Sequence, residues 1–296
     1  MIRKNIFDLV YENYDVQAEI KKIYKSFNEA IYFCLDEGEG EDEKCTDMTF
    51  KQLVEERFFE HWKYKDTCLS LDEFFERANA KIDDCDSEIS SDKIINILEL
   101  LENFVKLFYD KRKQLLRYDG IFDFVEFDWE FCYMLDRLEN HLGLTRKEFR
   151  DRVILYPTNP PLDQVISITN DEDVQWELLN YIREEKSLSE KRKSLAYLAT
   201  NLYIEQDKNE TDSILVEVMN QATNVLNNLH IRHNNKTGKW EQKDLLDSTS
   251  EEETLALCDF AFNQMLIIVL LRKNIKYDDI YKKFNNLQKG GKKSNG

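Results

Sequence analysis

Glycine and proline are scarce in this chain, and their distribution limits the fold more than any other feature of the sequence. The 296 residues include eight glycines and three prolines, with no proline before Pro157 and no glycine between Gly143 and Gly238. An all-β protein needs turn residues roughly every 8–12 positions, and this chain does not supply them. Long stretches without either residue instead favour helices. We therefore expect an all-α protein built as a multi-helix bundle.

Apolar residues recur at three- and four-residue spacing through most of the chain, which is the pattern of amphipathic helices. The spacing predicts helical segments over residues 2–35, 49–64, 70–82, 91–117, 126–142, 145–155, 170–185, 188–206, 211–233, 251–273 and 276–287. The segment 145–155 is assigned as a helix because Thr145 is followed three residues later by Glu148, as in a capping box.

The stretch 156–161 contains all three prolines and is the strongest break in the sequence. Proline restricts both its own backbone and that of the residue before it, so helices tend to end there. We place the main boundary at this stretch. The predicted organisation is an N-terminal helical region over 1–155, a C-terminal helical bundle over 162–288 and a flexible glycine-containing tail over 289–296.

The net charge of −17 disfavours non-specific binding to nucleic acid, which depends on Lys and Arg displacing counterions from phosphates. It leaves open a locally basic RNA site and a basic protein partner.

The sequence lacks motifs for cofactors and metals. The acidic run 36–44 lacks the spacing of a calcium loop, and the four histidines are not at zinc-ligand spacing from cysteines. We expect no cofactor and no metal.

The cysteines and the hydropathy predict a cytoplasmic protein without a membrane span. Six cysteines occur without a CxxC pair, and residues 1–5 do not begin a signal peptide, so we expect free thiols in a reducing compartment. The longest apolar run, 265–271, is much shorter than the ~20 residues needed to cross a bilayer.

One segment could carry chemistry: His230, Ile231, Arg232, His233, Asn234 and Asn235 at the end of the predicted helix 211–233. That helix has an apolar stripe formed by Leu215, Val218, Met219, Ala222, Val225, Leu226 and Leu229. At ~100° per residue, His233 falls on the centre line of the stripe, with Arg232 and His230 at its two edges. These polar side chains continue a buried face and need partners, because unpaired buried charge is costly.

The next helix, 251–273, offers a partner. Asp259 and Asn263 stand four residues apart on one face of this apolar helix. An Asp in such a position should be paired, and we expect Arg232 or His233 to pair with it. Asp259 and Asn263 would then support the site.

The helix 188–206 contributes a third polar group. Arg192 falls on the apolar stripe of that helix, and Lys191 and Lys193 flank it. Three helices therefore each place a polar group where leucine would be expected. A purely structural alternative stays open, in which Arg232 pairs with Asp259 only to hold the helix end, because polar groups gather at helix ends in any case.

The residue types in this segment suit metal-independent RNA cleavage. An imidazole can act as the base on a ribose 2′-hydroxyl or protonate the leaving oxygen, since its pKa lies near neutrality. A guanidinium can hold the scissile phosphate, and an amide can orient it. We assign Arg232, His233 and Asn234 as catalytic candidates, and Lys191, Arg192 and His230 as substrate-binding candidates.

These residues resemble the HEPN superfamily, helical bundles common in bacterial toxin and abortive-infection systems. Members carry an Arg-containing motif, often R-x(4–6)-H with Asn after the Arg, at the end of a helix in an antiparallel bundle. The resemblance covers roughly 170–275 and is carried by residues 232–235. This chain departs from the motif because positions 237–239 hold Thr, Gly and Lys, while His233 directly follows the Arg.

The resemblance implies a HEPN-like antiparallel helical bundle in the C-terminal half, and a homodimer in which two motifs meet to form a ribonuclease site. The leading hypothesis is an RNA-cleaving effector of a bacterial stress or anti-phage system. The alternative is a non-catalytic adaptor or neutralising protein that binds a basic protein partner through acidic surfaces at 36–43 or 251–253.

Overall fold

The computed structural model describes residues 14–36, 45–83, 88–118, 121–122, 127–183, 187–202, 212–229 and 250–291. Most of these residues are helical, so the prediction of a mainly helical protein is confirmed. Two small antiparallel sheets depart from an all-α fold. The chain divides into two compact units, Met1–Thr158 and Asn159–Gly296.

The first unit mixes helices with both sheets. Its described elements are α1 (Val16–Glu29), β1 (Ile31–Asp36), β2 (Cys45–Thr49), α2 (Phe50–Leu53, continued by a π-helical turn Val54–Phe58 and a 3-10 turn Phe59–His61), α3 (Leu71–Arg77), α4 (Ser91–Tyr118), β3 (Ile121–Phe122), a π-helical turn Phe127–Cys132, α5 (Tyr133–His141), β4 (Leu144–Phe149) and β5 (Arg152–Pro157). One sheet has the antiparallel strand order β2-β1-β3, and β4 and β5 form a separate hairpin.

The core of the first unit is dense in phenylalanine. The apolar stripe of α4, from Ile94 to Phe108, is buried. Phe27 of α1 stacks on Phe104 with ring centroids 6.1 Å apart, and Phe50 meets Phe127 edge-on at 4.7 Å. Such ring pairs add to the stabilisation from burial. Helix α4 is therefore the central element around which the unit packs.

The helix predicted over 145–155 is wrong, because this segment is the β4–β5 hairpin. Phe149 pairs with Arg152, and the two residues between them, Arg150 and Asp151, have φ angles of 49° and 67°. Two left-handed residues in succession define the tight turn whose twist matches paired strands. The usual sequence sign of this turn is Asn-Gly or Asp-Gly, and its absence made the apolar run of β5 equally consistent with a helix.

The segment predicted as helical over 2–35 is also wrong in its last part. Helix α1 begins after Asp15, whose carboxylate accepts a hydrogen bond from the Ala18 amide at 3.0 Å, and it ends at Glu29. Residues 31–36 form β1 instead. Ile, Tyr and Phe at 31–33 favour a strand, and pairing with β2 and β3 decides the outcome.

The second unit is helical throughout its described residues. It contains α6 (Pro160–Ile168), α7 (Glu172–Arg183), α8 (Leu188–Asn201), α9 (Ser213–Asn228) and α10 (Glu251–Gly291). The proline-rich stretch begins a helix, because Asn159 caps α6 and proline is tolerated in a first helical turn. The helices predicted over 251–273 and 276–287 form one continuous helix, which extends to Gly291 and so includes the start of the predicted tail.

Helix α10 is the packing centre of the second unit, and it contacts α6, α8 and α9. Five of the seven residues in the predicted stripe of α9 are buried, namely Leu215, Met219, Ala222, Leu226 and Leu229, whereas Val218 and Val225 are half-buried. Within the described residues, one segment, 251–273, is long and apolar enough to cross a membrane, with a mean hydropathy of 1.9 and 39% of it buried. A single such helix is weak evidence for a span, because core helices of soluble bundles share this composition.

The cysteines follow the sequence prediction in part. Cys68, Cys132 and Cys258 are free thiols, but Cys34 is disulfide-bonded, so the expectation of free thiols is wrong at this position. The lack of a CxxC pair excludes only short-range bridges. Folding can still bring cysteines together that are distant in sequence.

Candidate functional site

The segment that carries the functional prediction lies outside the described residues. Helix α9 ends at Asn228. His230, Arg232, His233 and Asn234 follow shortly after this end, within the undescribed range 230–249. The roles assigned to them stay predictions. Their expected neighbours on α8 and α10 are described, and these define the geometry of the candidate site.

A polar junction joins three helices of the second unit. Lys191 of α8 donates to Asp259 Oδ1 of α10 at 2.6 Å, and the hydroxyl of Tyr181 at the end of α7 donates to the same oxygen at 3.0 Å. The Tyr181 ring stacks on Phe262 with centroids 4.1 Å apart. We call Tyr181, Lys191 and Asp259 the Asp259 junction. The structure thus brings together Lys191 and Asp259, which the sequence analysis singled out separately.

The hydrogen bonds and the ion pair of the Asp259 junction are partly shielded from solvent. The Lys191 side chain is 16% exposed and that of Asp259 is 49% exposed, so the pair is only partly solvated. The Lys191 ammonium also lies 5.2 Å from the centre of the Tyr181 ring. Burial, followed by the charge of Asp259, raises the pKa of Tyr181. The phenol therefore stays protonated as a hydrogen-bond donor to the carboxylate.

Arg192 lies beside the Asp259 junction without a partner in the described structure. Its side chain is half-buried, and its Nε atom is buried with no hydrogen-bond acceptor among the described residues. Burial raises the pKa of the neighbouring Cys258 thiol to about 11, while the positive charges of Arg192 and Lys191 lower it. Asn263 is exposed on α10, one turn beyond Asp259.

The first unit contains a buried charge cluster that the sequence analysis missed. Arg146 of β4 lies against three carboxylates: Nη1 is 3.0 Å from Glu102 Oε2, Nη2 is 3.1 Å from Glu139 Oε2, and Nη2 also bonds to Asp136. The Glu102 and Glu139 side chains are 3% and 5% exposed, whereas that of Asp136 is 53% exposed. We call these four residues the Arg146 cluster.

One carboxyl of the Arg146 cluster retains its proton near neutral pH. Burial raises the pKa of Glu102 to about 8; the charge of Glu139 acts in the same direction, and that of Arg146 opposes it. Burial also raises the pKa of Glu139. One guanidinium cannot neutralise both buried carboxylates together with Asp136, so Glu102 keeps its proton and its O–H donates a hydrogen bond to Glu139.

A metal ion is a poor fit for the Arg146 cluster. Glu102, Asp136 and Glu139 each offer an oxygen within 4.8 Å of the others, which is a possible ligand set. The guanidinium of Arg146 already contacts all three carboxylates and supplies the positive charge that a cation would bring. We therefore assign the cluster a structural role, holding β4 against α4 and α5.

The sequence did contain a signal for this cluster. Glu102 lies four residues after Leu98 and three before Val105, within the apolar stripe of α4, and Glu139 lies four residues after the buried Leu135. A carboxylate inside a buried stripe needs a cationic partner. The partner Arg146 could not be inferred, because its segment was assigned as a helix.

A cleft of about 640 Å³ opens beside Trp62 and Tyr64 in the first unit. Its lining carries charges of both signs, and Lys63 is bonded to Asp151 at 2.9 Å across it. The Tyr64 hydroxyl donates to the Arg150 carbonyl at 2.7 Å. These two contacts attach the tip of the β4–β5 hairpin to residues 63–64.

No family model, no curated protein and no solved structure matches this chain.

Proposed function

We propose that this protein is an RNA-cleaving effector, a metal-independent ribonuclease of a bacterial stress or anti-phage system, with a HEPN-like C-terminal unit. The Asp259 junction is the observation that supports this most. Polar groups from α7, α8 and α10 converge there at a partly buried position, and Lys191 Nζ and Asp259 Oδ1 are 2.6 Å apart. The RNA-cleavage chemistry itself rests on the sequence of residues 230–235.

The proposed reaction is attack of a ribose 2′ oxygen on the adjacent phosphorus. The bond from phosphorus to the 5′ oxygen of the next nucleotide breaks, and a 2′,3′-cyclic phosphate remains. His233 takes the 2′ proton or donates a proton to the leaving oxygen. Arg232 offsets charge that develops on the phosphate, and Asn234 positions it. No metal or cofactor takes part in this scheme.

Residues around these three would hold the substrate. Lys191, Arg192 and His230 supply positive charge or hydrogen bonds to RNA, while Asp259 and Asn263 support them from α10. We propose a homodimer formed through the 211–273 helices, so that two copies of the segment share one RNA.

The proposal is tested with purified full-length protein and end-labelled RNA in excess EDTA. We expect cleavage that leaves 2′,3′-cyclic phosphate ends and that stops when the 2′-hydroxyl at the cut site is replaced by hydrogen. Arg232→Ala and His233→Ala should each reduce the rate by about 100-fold or more, the usual contribution of a positioned acid, base or charge.

Lys193→Ala is the matched control, because Lys193 is an exposed cation on α8. This variant should cleave at close to the wild-type rate. Circular dichroism should show unchanged helix content in all variants. A double variant of Arg232 and His233 that still cleaves at the wild-type rate would exclude the proposed site.

A second candidate function is an adaptor that binds a basic protein. Glu251, Glu252 and Glu253 are all exposed in the first turn of α10, which gives one described acidic surface. Association with a basic partner would weaken steeply with salt and would be lost on reversal of these charges. This function predicts wild-type protein with no ribonuclease activity in the assay above.

A further inference from the structure

Arg192 has an unusual environment for an arginine in an acidic protein. Its side chain is half-buried on the inner face of α8, where Leu195 and Ala199 continue the buried stripe. Its Nε atom is shielded from solvent and has no acceptor among the described residues. A partly desolvated charge without a partner costs folding free energy, so such positions are normally neutral or paired.

The neighbouring described carboxylates are already engaged. Glu190 caps the start of α8, where its Oε2 accepts from the Ser187 amide at 2.9 Å and from the Ser187 hydroxyl at 2.6 Å. Asp259 Oδ1 accepts from both Lys191 and Tyr181. Arg192 therefore adds positive charge beside a lysine that is already paired, near the positive end of the α8 dipole.

We infer that Arg192, with Lys191 beside it, is a phosphate-binding site that takes a backbone phosphodiester of RNA. A guanidinium can offer two parallel hydrogen bonds to phosphate oxygens, and the anion would supply the missing counter-charge. This inference rests on the proposed function for its choice of ligand, whereas its geometry rests only on described residues. On the proposed function, Arg192 gives the RNA a contact on α8 in addition to the contacts assigned to residues 230–235.

The first test compares melting temperatures of full-length wild type, Arg192→Met and the matched control Lys193→Met. The buffers are potassium chloride and potassium phosphate at equal ionic strength. In chloride, Arg192→Met should melt at the wild-type temperature or about 2–4 °C higher, because an unpaired charge is removed. Phosphate should raise the melting temperature of wild type and Lys193→Met, and it should not raise that of Arg192→Met.

Two results of this test would overturn the inference. If Arg192→Met melts below wild type in chloride, Arg192 has an internal partner and needs no anion. If phosphate shifts all three proteins equally, the effect comes from the solvent and not from Arg192.

The second test separates free phosphate from RNA as the ligand. It measures binding of a 2′-O-methyl RNA oligonucleotide, which keeps its phosphodiesters but cannot be cleaved, over a range of salt concentrations. Arg192→Met should weaken binding and reduce the slope of log K against log salt by about 1, while Lys193→Met should change neither. Equal slopes for the two variants would exclude RNA as the ligand.

The outcomes also distinguish this inference from the proposed function. If wild type binds the oligonucleotide through Arg192 but cleaves no RNA, the phosphate site stands and the ribonuclease does not. If wild type cleaves RNA and Arg192→Met matches Lys193→Met in both tests, the ribonuclease stands without this site.

Discussion

Glu102 shows how a single buried residue links the stability of the first unit to pH. Burial raises its pKa from the ordinary 4.5 to about 8. Between these two values the folded protein holds a proton that the unfolded chain releases, so stability falls as pH rises through this window. Each full pH unit inside it costs up to about 1.4 kcal/mol for one proton. The raised pKa of Glu139 acts in the same direction.

We expect the melting temperature of wild type to fall between pH 6 and pH 9 and that of Glu102→Gln to fall less. The amide keeps a donor toward Glu139 and cannot ionise. Glu130→Gln is the matched control, because Glu130 is exposed in the same unit, and it should follow wild type. Parallel melting curves for wild type and Glu102→Gln across this range would show that Glu102 is already ionised at neutral pH.

Arg146 is one of the side chains that attach strand β4 to the helices. Arg146 contacts Glu102 on α4 together with Asp136 and Glu139 on α5, so it fixes the β4–β5 hairpin against both. Arg146→Met would leave the buried Glu139 carboxyl without its cation. We expect a loss of about 3 kcal/mol in the free energy of unfolding, at the low end for a broken buried pair because Arg146 is 38% exposed.

Lys147→Met on the same strand is the control for Arg146→Met, and urea unfolding followed by tryptophan fluorescence measures both. Lys147 is half-buried but forms no ion pair among the described residues, so its variant should unfold within about 0.5 kcal/mol of wild type. If Arg146→Met is equally mild, the Arg146 cluster contributes little to stability and the hairpin is held by its apolar contacts.

The same elements show which parts of the fold the sequence could predict. Helix α4 was predicted almost to the residue, because seven apolar positions from Ile94 to Phe108 repeat with helical spacing and all are buried. The β4–β5 hairpin was missed, since Arg150 and Asp151 adopt left-handed angles without glycine. Local pattern predicts an element when it is long and periodic. Tertiary pairing decides short apolar runs such as β5.

The candidate site was predictable to a similar extent. Arg192 and Asp259 stood out because each interrupts an apolar helix face. The structure places both near Cys258, where α8 contacts α10. Tyr181 could not be found this way, because a tyrosine in an apolar stripe looks like ordinary core. Spacing along one helix identifies a polar residue that needs a partner, but the partner on another helix depends on packing.

At the scale of the whole molecule, α10 has an apolar surface that its own unit leaves exposed. Leu257, Phe260 and Ile267 are 37%, 39% and 39% exposed. Their spacing of three and seven residues puts them on one stripe of the helix. A second copy of the chain can cover this stripe, and the exposed glutamates 251–253 would face basic residues 272–273 if the two α10 helices pair antiparallel. This arrangement matches the homodimer proposed for the C-terminal unit.

We expect wild type to sediment as a dimer at micromolar concentration, and Phe260→Glu with Ile267→Glu to sediment as a monomer, because each copy would bring two buried charges to the interface. Leu69→Glu is the control, since Leu69 is 92% exposed in the first unit, and it should remain dimeric. Loss of RNA cleavage in the monomeric variant would connect the dimer with activity. Wild type that sediments as a monomer at every concentration up to about 100 μM would exclude the dimer as the active form. The dissociation constant of the dimer would then lie above about 100 μM, which is weaker than that of most specific protein–protein interfaces.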